Sequence, residues 1–291
     1  MATFCPLGFR LNVLFMPQLL PRSANWHMTS ACNYRCKFCC MQKLTGDLTS
    51  MTRAGEVLHH LKRLGIEKIN FVGGEPLCNS LVFDVTRLAK DMGFIVGITS
   101  NGALLTEKTL NRLFGSVNWI GLSIDSSSDK IENRLGRGDG THVRNCTKVS
   151  EMVQDLGIKL KINTTVTKLT CREDMREFIQ SINPDRWKVF QFLHVPGQND
   201  DAVSSLGITD EEFAWFRYVN KDIQLRNGAF PVFESADCMF DSYLMLTPSG
   251  SIFLNTEYPF QEYAIESVTA DMLPRILNVE NYFTRGAVYA W

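Results

Sequence analysis

Between Asn25 and Leu193 short apolar runs alternate with amphipathic stretches, and this alternation constrains the fold more than any other feature of the chain. The runs Ala24–Thr29, Lys68–Val72, Phe94–Thr99, Val117–Ile124, Ile158–Val166 and Arg186–Leu193 read as strands. Between them, Thr52–Leu64, Leu81–Met92, Thr106–Phe114, Val143–Leu156 and Arg172–Ser181 carry apolar residues at helical spacing. Gly65, Gly93 and Gly157 stand where helix C-caps belong. Strands joined through single helices pair in parallel, because a parallel crossover needs a long connection that a helix provides. Six such units without repeated Gly-rich nucleotide fingerprints predict an α/β fold, a partial (β/α)6 TIM-like barrel. After Val195 the pattern changes. Residues 196–206 read as a polar loop and Thr209–Leu225 as a capped helix. Tyr243–Leu246 and Ser251–Leu254 read as a hairpin turned at Pro248-Ser249-Gly250, and the last forty residues are weakly patterned. The expected organisation is an N-terminal arm (1–24), a barrel core (25–195) and a C-terminal extension (196–291) that closes the substrate site.

Charge and cysteine usage narrow the function classes. Thirty Lys and Arg against 31 Asp and Glu leave a formal net charge of −1. No basic excess suggests nucleic-acid binding, so any polyanion has to meet a local cluster of cations. No run reaches the roughly 18 apolar residues of a membrane span. Nine cysteines are numerous enough for a secreted disulfide scaffold, but the chain is long, the count odd and the spacing uneven. A reducing cytoplasm is the expected location. The first twenty residues are apolar with one Arg, yet Pro6 and Pro17 interrupt any helix and no small-residue cleavage site follows. A packed or frayed arm is expected there ahead of a weak peripheral membrane contact.

The chemistry concentrates in two motifs. Cys32-Asn33-Tyr34-Arg35-Cys36-Lys37-Phe38-Cys39 has the spacing C-x3-C-x2-C. Three thiolates on one loop can wrap a face of an iron–sulfur cubane and leave one iron open. A zinc site is the alternative, but structural zinc usually takes four protein ligands, and no second knuckle exists despite nearby His27. The second motif, Gly73-Gly74-Glu75-Pro76, follows directly on the strand Lys68–Val72. Parallel barrels keep their chemistry at that strand end, and two glycines allow close backbone approach to a ligand. Together the motifs resemble the signature of the radical S-adenosylmethionine (SAM) superfamily.

The resemblance implies a [4Fe–4S] cluster on Cys32, Cys36 and Cys39, with SAM chelated to the fourth iron. One-electron reduction then cleaves SAM to methionine and a 5′-deoxyadenosyl radical that takes hydrogen from a substrate. Carried over by position, Gly73, Gly74, Glu75 and Pro76 meet the SAM amino group, while Asn101 and Ser123 meet its sugar or carboxylate. Arg137, between Gly136 and Gly138, is the expected bidentate partner of the SAM carboxylate. Ordinary strand-end hydrogen bonding is the plainer role for Ser123 and Asn101.

Further stretches are similar to one branch, viperin and the viperin-like enzymes. They include Glu67-Lys68-Ile69-Asn70-Phe71, Lys161-Ile162-Asn163, Arg186-Trp187-Lys188-Val189-Phe190-Gln191, Asp241-Ser242-Tyr243 and Phe253-Leu254-Asn255, in the family's order. Independently of the family, Lys161 and the Arg186/Lys188 pair fall on adjacent predicted strands, where alternate residues share a face. Pointing inward they make a triphosphate pocket; at strand ends they simply reach solvent. The resemblance implies phosphate contacts from Lys68, Lys161, Arg186, Lys188 and Arg285, and sugar or phosphate contacts from Asn25, Asn70 and Asn163. It also implies conversion of CTP to 3′-deoxy-3′,4′-didehydro-CTP in antiviral defence, with Tyr243 as a proton or hydrogen donor.

The chain departs from animal viperins at several points. Val72 replaces a polar residue, and Ala236, Cys238 and Phe240 replace polar or basic ones near the expected base, which leaves CTP and UTP both open. The amphipathic N-terminal membrane helix of animal viperins has no counterpart. Trp291 suggests docking to the cytosolic iron–sulfur assembly machinery, against packing onto the barrel. Other classes remain: a radical SAM epimerase, a peptide-modifying enzyme, or an iron–sulfur scaffold protein. Auxiliary-cluster enzymes bring extra cysteines, and the C-terminal third holds only Cys238.

Overall fold

The computed structural model describes residues 20–286. The expected arm up to residue 19 and the docking residue Trp291 therefore lie outside the described residues. The six expected strands are present as β1 (Ser23–His27), β2 (Lys68–Val72), β3 (Ile95–Ser100), β4 (Trp119–Ser123), β5 (Lys159–Val166) and β6 (Arg186–Gln191). The crossovers carry α1 (Met51–Arg63), α2 (Val82–Asp91), α3 (Glu107–Leu113), α4 (Asp129–Arg134), α5 (His142–Asp155) and α6 (Arg176–Ile182). The starts of α1 and α3 follow their caps: Ser50 Oγ accepts from Arg53 N, and Thr106 and Thr109 form a reciprocal capping box.

Strands β1 through β6 pair in parallel and in chain order. Even and odd positions then separate cleanly. Ile69, Phe71, Val96, Ile98, Ile120, Leu122, Leu160 and Ile162 point outward and are buried under the helices. Each such side chain contributes about 1.5–3 kcal/mol by leaving water. The opposite face, which lines the lumen, carries Asn25, Asn70, Thr99, Ser123, Lys161, Asn163 and Lys188. A polar inner face inside an apolar shell is what a binding lumen requires.

Residues beyond 195 correct the simpler expectation. The segment read as a polar loop holds a helix, α7 (Asp200–Leu206), whose Ala202 and Leu206 pack on Phe38, Leu135 and Phe192. Those apolar positions are too few for a periodic signal. Next come α8 (Asp210–Asn220), β7 (Val232–Glu234), α9 (Ala236–Met239), β8 (Leu244–Leu246), β9 (Ile252–Phe253), β10 (Glu262–Tyr263), α10 (Leu273–Ile276) and α11 (Val279–Thr284). The expected hairpin exists as antiparallel β8 and β9. The extension joins the same sheet at both edges: β7 adds in parallel to β6, and β8 adds in parallel to β1. The order is β10-β9-β8-β1-β2-β3-β4-β5-β6-β7, so the barrel does not close and its edge strands are β7 and β10. Side chains bridge the two arms of the extension, because Tyr243, just before β8, hydrogen-bonds Glu234 on β7. Among the described residues no helix is long and apolar enough to cross a membrane.

Candidate active site

The cysteine loop leaves β1 at the C-terminal ends of the strands and is held between two other loops by main-chain hydrogen bonds. Gly74 N donates to Thr29 O at 2.7 Å and Glu75 N to Ala31 O at 2.8 Å on one side. Lys37 N donates to Leu135 O at 2.9 Å and Arg35 N to Gly136 O at 3.3 Å on the other. Two glycines are required by this contact. A Cβ on Gly74 would lie 2.3 Å from Ala31 O, and one on Gly136 would lie 2.2 Å from Arg35 O.

Cys32, Cys36 and Cys39 are free and partly exposed. Burial pushes the Cys36 and Cys39 thiols up to about 12, with the Arg137 charge opposing the rise at both. Thiolates in such surroundings need cationic compensation, which cluster irons supply. Among the described residues no three His, Cys, Asp or Glu side chains converge on a single ion. A cubane does not ask for that, since it takes one thiolate per iron and its cysteines stand apart around it. The residues fit a cluster better than a zinc ion.

The remaining candidates at this end are tied into the scaffold. Glu75 is fully buried: Oε1 accepts from Ser100 Oγ at 2.8 Å, and Oε2 accepts from Asn101 N at 2.8 Å. Burial raises its carboxyl to about 7. Its side chain thus ties the β2 and β3 loops together. Asn101 donates from Nδ2 to Asn33 Oδ1 at 2.7 Å, linking the β3 loop to the cysteine loop.

Arg137 is 8% exposed and donates from Nε to Asp125 Oδ2 at 2.6 Å, with Glu132 Oε2 at 3.6 Å. Its terminal nitrogens make no hydrogen bond among the described residues. The guanidinium is therefore aimed by carboxylates while its fork stays available for a ligand. His142 is buried and its pKa falls to about 4 by burial, so the ring is neutral. With Nε2 donating to Ser123 O at 2.8 Å, Nδ1 is left to accept from the Tyr34 hydroxyl at 3.4 Å. Asp125, Glu132 and His142 escaped the sequence reading. A carboxylate directly after a strand, in Ser123-Ile124-Asp125, was the one available signal.

Below this, inside the lumen, the expected cations come together. Lys161 pairs in register with Arg186, and Asn163 with Lys188. Lys161 is 7% exposed, Lys188 3% and Arg285 4%, which removes the reading in which these side chains merely reach solvent. Burial, and then the charges of Lys188 and Arg186, hold the Lys161 amine well below its ordinary value. Lys188 is lowered to about 8, chiefly by burial, with Glu234 opposing. Glu234 is fully buried and ion-paired to Lys188, with Arg285 Nη1 at 3.8 Å. No motif pointed to it.

Tyr243 is half-buried; its hydroxyl donates to Glu234 and accepts from Lys188 Nζ at 3.1 Å. The Arg285 guanidinium carbon stands 3.5 Å from the centre of its ring. Arg285 Nε and Asn163 Oδ1 are buried here and make no hydrogen bond among the described residues. Asn70 donates to Asn25 Oδ1 at 2.9 Å and accepts from Thr99 Oγ1 at 3.2 Å. Lys68 opens β2 at the far end of the same face, half-buried. Ala236 and Phe240 line a cleft of about 580 Å³ with Gln191, Phe192 and His194, beside the end of β6.

Comparison with known proteins agrees with this geometry. The family model of the radical SAM superfamily matches residues 26–182. An S-adenosylmethionine-dependent nucleotide dehydratase of a Thermoplasmatales archaeon is 40% identical over 93% of this chain and 96% of its own length. The S-adenosylmethionine-dependent nucleotide dehydratase RSAD2 of Oncorhynchus mykiss is 33% identical over 81% of this chain and 70% of its own. In fold alone, the crystal structure of Streptococcus suis SuiB bound to S-adenosylmethionine superposes with a TM-score of 0.69 at 18% identity, over 87% of this chain and 65% of that one. Motif, open barrel and relatives converge, and the chain belongs to the radical SAM superfamily, as an enzyme in the branch of the S-adenosylmethionine-dependent nucleotide dehydratases.

Proposed function

We propose that the enzyme dehydrates a pyrimidine nucleoside triphosphate, CTP or UTP, to its 3′-deoxy-3′,4′-didehydro analogue. One observation carries this reading: Lys161, Lys188 and Arg285 are buried together at the inner face of the barrel, with one carboxylate among them. Buried cations without equal counter-charge call for a polyanionic ligand, and phosphate answers with several charges at once. Lys68 and Arg186 extend the phosphate site toward the start of the strands, and Asn25, Asn70 and Asn163 meet sugar or phosphate oxygens.

At the other end Cys32, Cys36 and Cys39 hold a [4Fe–4S] cluster. The main chain of Gly73–Pro76, the sides of Asn101 and Ser123, and the terminal nitrogens of Arg137 hold SAM. When bound, cluster and SAM together supply a 5′-deoxyadenosyl radical that removes the C4′ hydrogen of the ribose. Water leaves from C3′, and one electron and one proton complete the balance. Tyr243 is the proton or hydrogen donor, and its hydrogen bonds to Glu234 and Lys188 support that role. An external one-electron donor serves the reaction, and Trp291 engages the cytosolic iron–sulfur assembly system.

Residues 25–195 form the catalytic core in this reading, and 196–291 close it over the nucleotide. Ala236, Cys238 and Phe240 lie toward the base and decide between cytosine, which offers a donor at its 4-position, and uracil, which offers an acceptor. The test is anaerobic reconstitution with SAM and dithionite, offering each nucleoside triphosphate in turn beside free cytidine and uridine. Product from CTP or UTP with little from either nucleoside is expected. Equal turnover of CTP and cytidine contradicts the phosphate site.

A further inference from the structure

Glu234 sits on a three-residue strand at the open edge of the sheet, yet it is fully buried and serves three partners at once. One oxygen, Oε2, accepts from the Tyr243 hydroxyl. The other, Oε1, faces Lys188 Nζ and lies 3.8 Å from Arg285 Nη1. The same lysine donates to the Tyr243 oxygen at 3.1 Å, and the arginine's guanidinium carbon stands 3.5 Å from the centre of the Tyr243 ring. The phenol is therefore held on both sides, its proton turned to a carboxylate and its lone pair to an ammonium.

We propose that Glu234 is a positioning residue that ties the aim of Tyr243 to occupation of the phosphate site, an inference that rests on the nucleotide reading above. In the free enzyme the carboxylate stands where it balances Lys188 and Arg285. A phosphate competes for the same two cations, because both are buried and neither has another carboxylate within ion-pair distance among the described residues. As they turn to phosphate, Lys188 releases the phenol oxygen while Glu234 still accepts its proton. Tyr243 then changes orientation only when a phosphorylated substrate is in place. No bond is made or broken in this step. Buried carboxylates at such a site act through geometry and through the charge state of their neighbours.

Two measurements test the inference. The first is a double-mutant cycle on kcat with cluster-loaded Glu234→Gln, Tyr243→Phe and the double variant, using SAM affinity to confirm that each is folded. The amide presents an NH2 group to Lys188 or to Tyr243, so each single variant should lose at least about tenfold in kcat with a smaller change in KM. The double variant should be no slower than Tyr243→Phe alone. Losses that multiply instead show that Glu234 does not act through Tyr243, and they overturn the proposal.

The second measurement needs no turnover. 3-Fluorotyrosine at position 243 is followed by fluorine NMR in the otherwise wild-type holoenzyme while inorganic tripolyphosphate is added. A saturable shift, abolished in Glu234→Gln, is expected. Bound tripolyphosphate with no shift overturns the coupling alone. If neither tripolyphosphate nor any nucleoside triphosphate binds, the functional reading fails, and the coupling with it.

Discussion

The two ends of the barrel are held by different forces. At the cysteine end, loops from β1, β2 and the turn after α4 are joined backbone to backbone, and two glycines allow them to touch. At the cation end, Lys161, Lys188, Arg285, Glu234 and Tyr243 come from five separate segments and meet through their side chains. The first arrangement rests on main-chain hydrogen bonds, which do not titrate. The second is a charged cluster out of water, whose state depends on what fills it. One end is suited to presenting a fixed cofactor, the other to sensing a substrate.

This difference can be broken most severely at the cysteines. Cys36→Ala should abolish both the brown cluster absorbance and formation of 5′-deoxyadenosine, because a lost ligand leaves the cubane without its three-point hold. Full cluster content and wild-type cleavage in that variant would remove these cysteines from the reaction. Gly74→Ala comes next. Its Cβ meets the Ala31 carbonyl, which sits on a loop fixed at both ends. Overpacking of this kind costs about 1–3 kcal/mol, and thermal unfolding together with SAM titration should show both lower stability and weaker SAM binding. Unchanged SAM affinity would mean that the backbone clamp is not what positions the cofactor.

The cation end should respond the other way. Lys161→Ala and Lys188→Ala are each expected to weaken nucleotide binding by about 1.5–3 kcal/mol, tenfold or more, while SAM affinity stays near wild type. Equal loss for both ligands would blur the separation of the two ends. The smallest expected effect is pH dependence. Burial lowers the Lys188 amine to about 8, so its charge is present below that pH and is lost as pH rises through it. A bound polyanion raises the pKa again, and binding above pH 8 must therefore take up a proton. Tripolyphosphate affinity should fall by up to about tenfold per pH unit there, and SAM affinity should not follow it. A flat titration would mean that Lys188 keeps its charge.

The same contrast explains what was legible in the sequence. The cysteine spacing and Gly73-Gly74-Glu75-Pro76 are local patterns, and the second follows a strand whose bounds, Lys68–Val72, the structure reproduces. Lys161 beside Arg186 was legible because strand periodicity is strict and adjacent strands were predicted in order. Glu234 was not: β7 is only three residues long, too short for a periodic signal, and Glu234 gains its meaning from Lys188, 46 positions earlier, and Tyr243, nine later. His142 read only as the edge of a helix, since its partners Tyr34 and Ser123 are remote in sequence. The helix α7 was missed for a related reason, as its two buried residues pack on a small cluster of its own.

The account stands or falls on hydrogen transfer between the two ends. With SAM and dithionite under anaerobic conditions, CTP or UTP deuterated at C4′ should give 5′-deoxyadenosine carrying one deuterium, together with a nucleotide product lighter by one water. SAM cleavage that proceeds with no deuterium reaching 5′-deoxyadenosine from any 4′-labelled nucleoside triphosphate would contradict it.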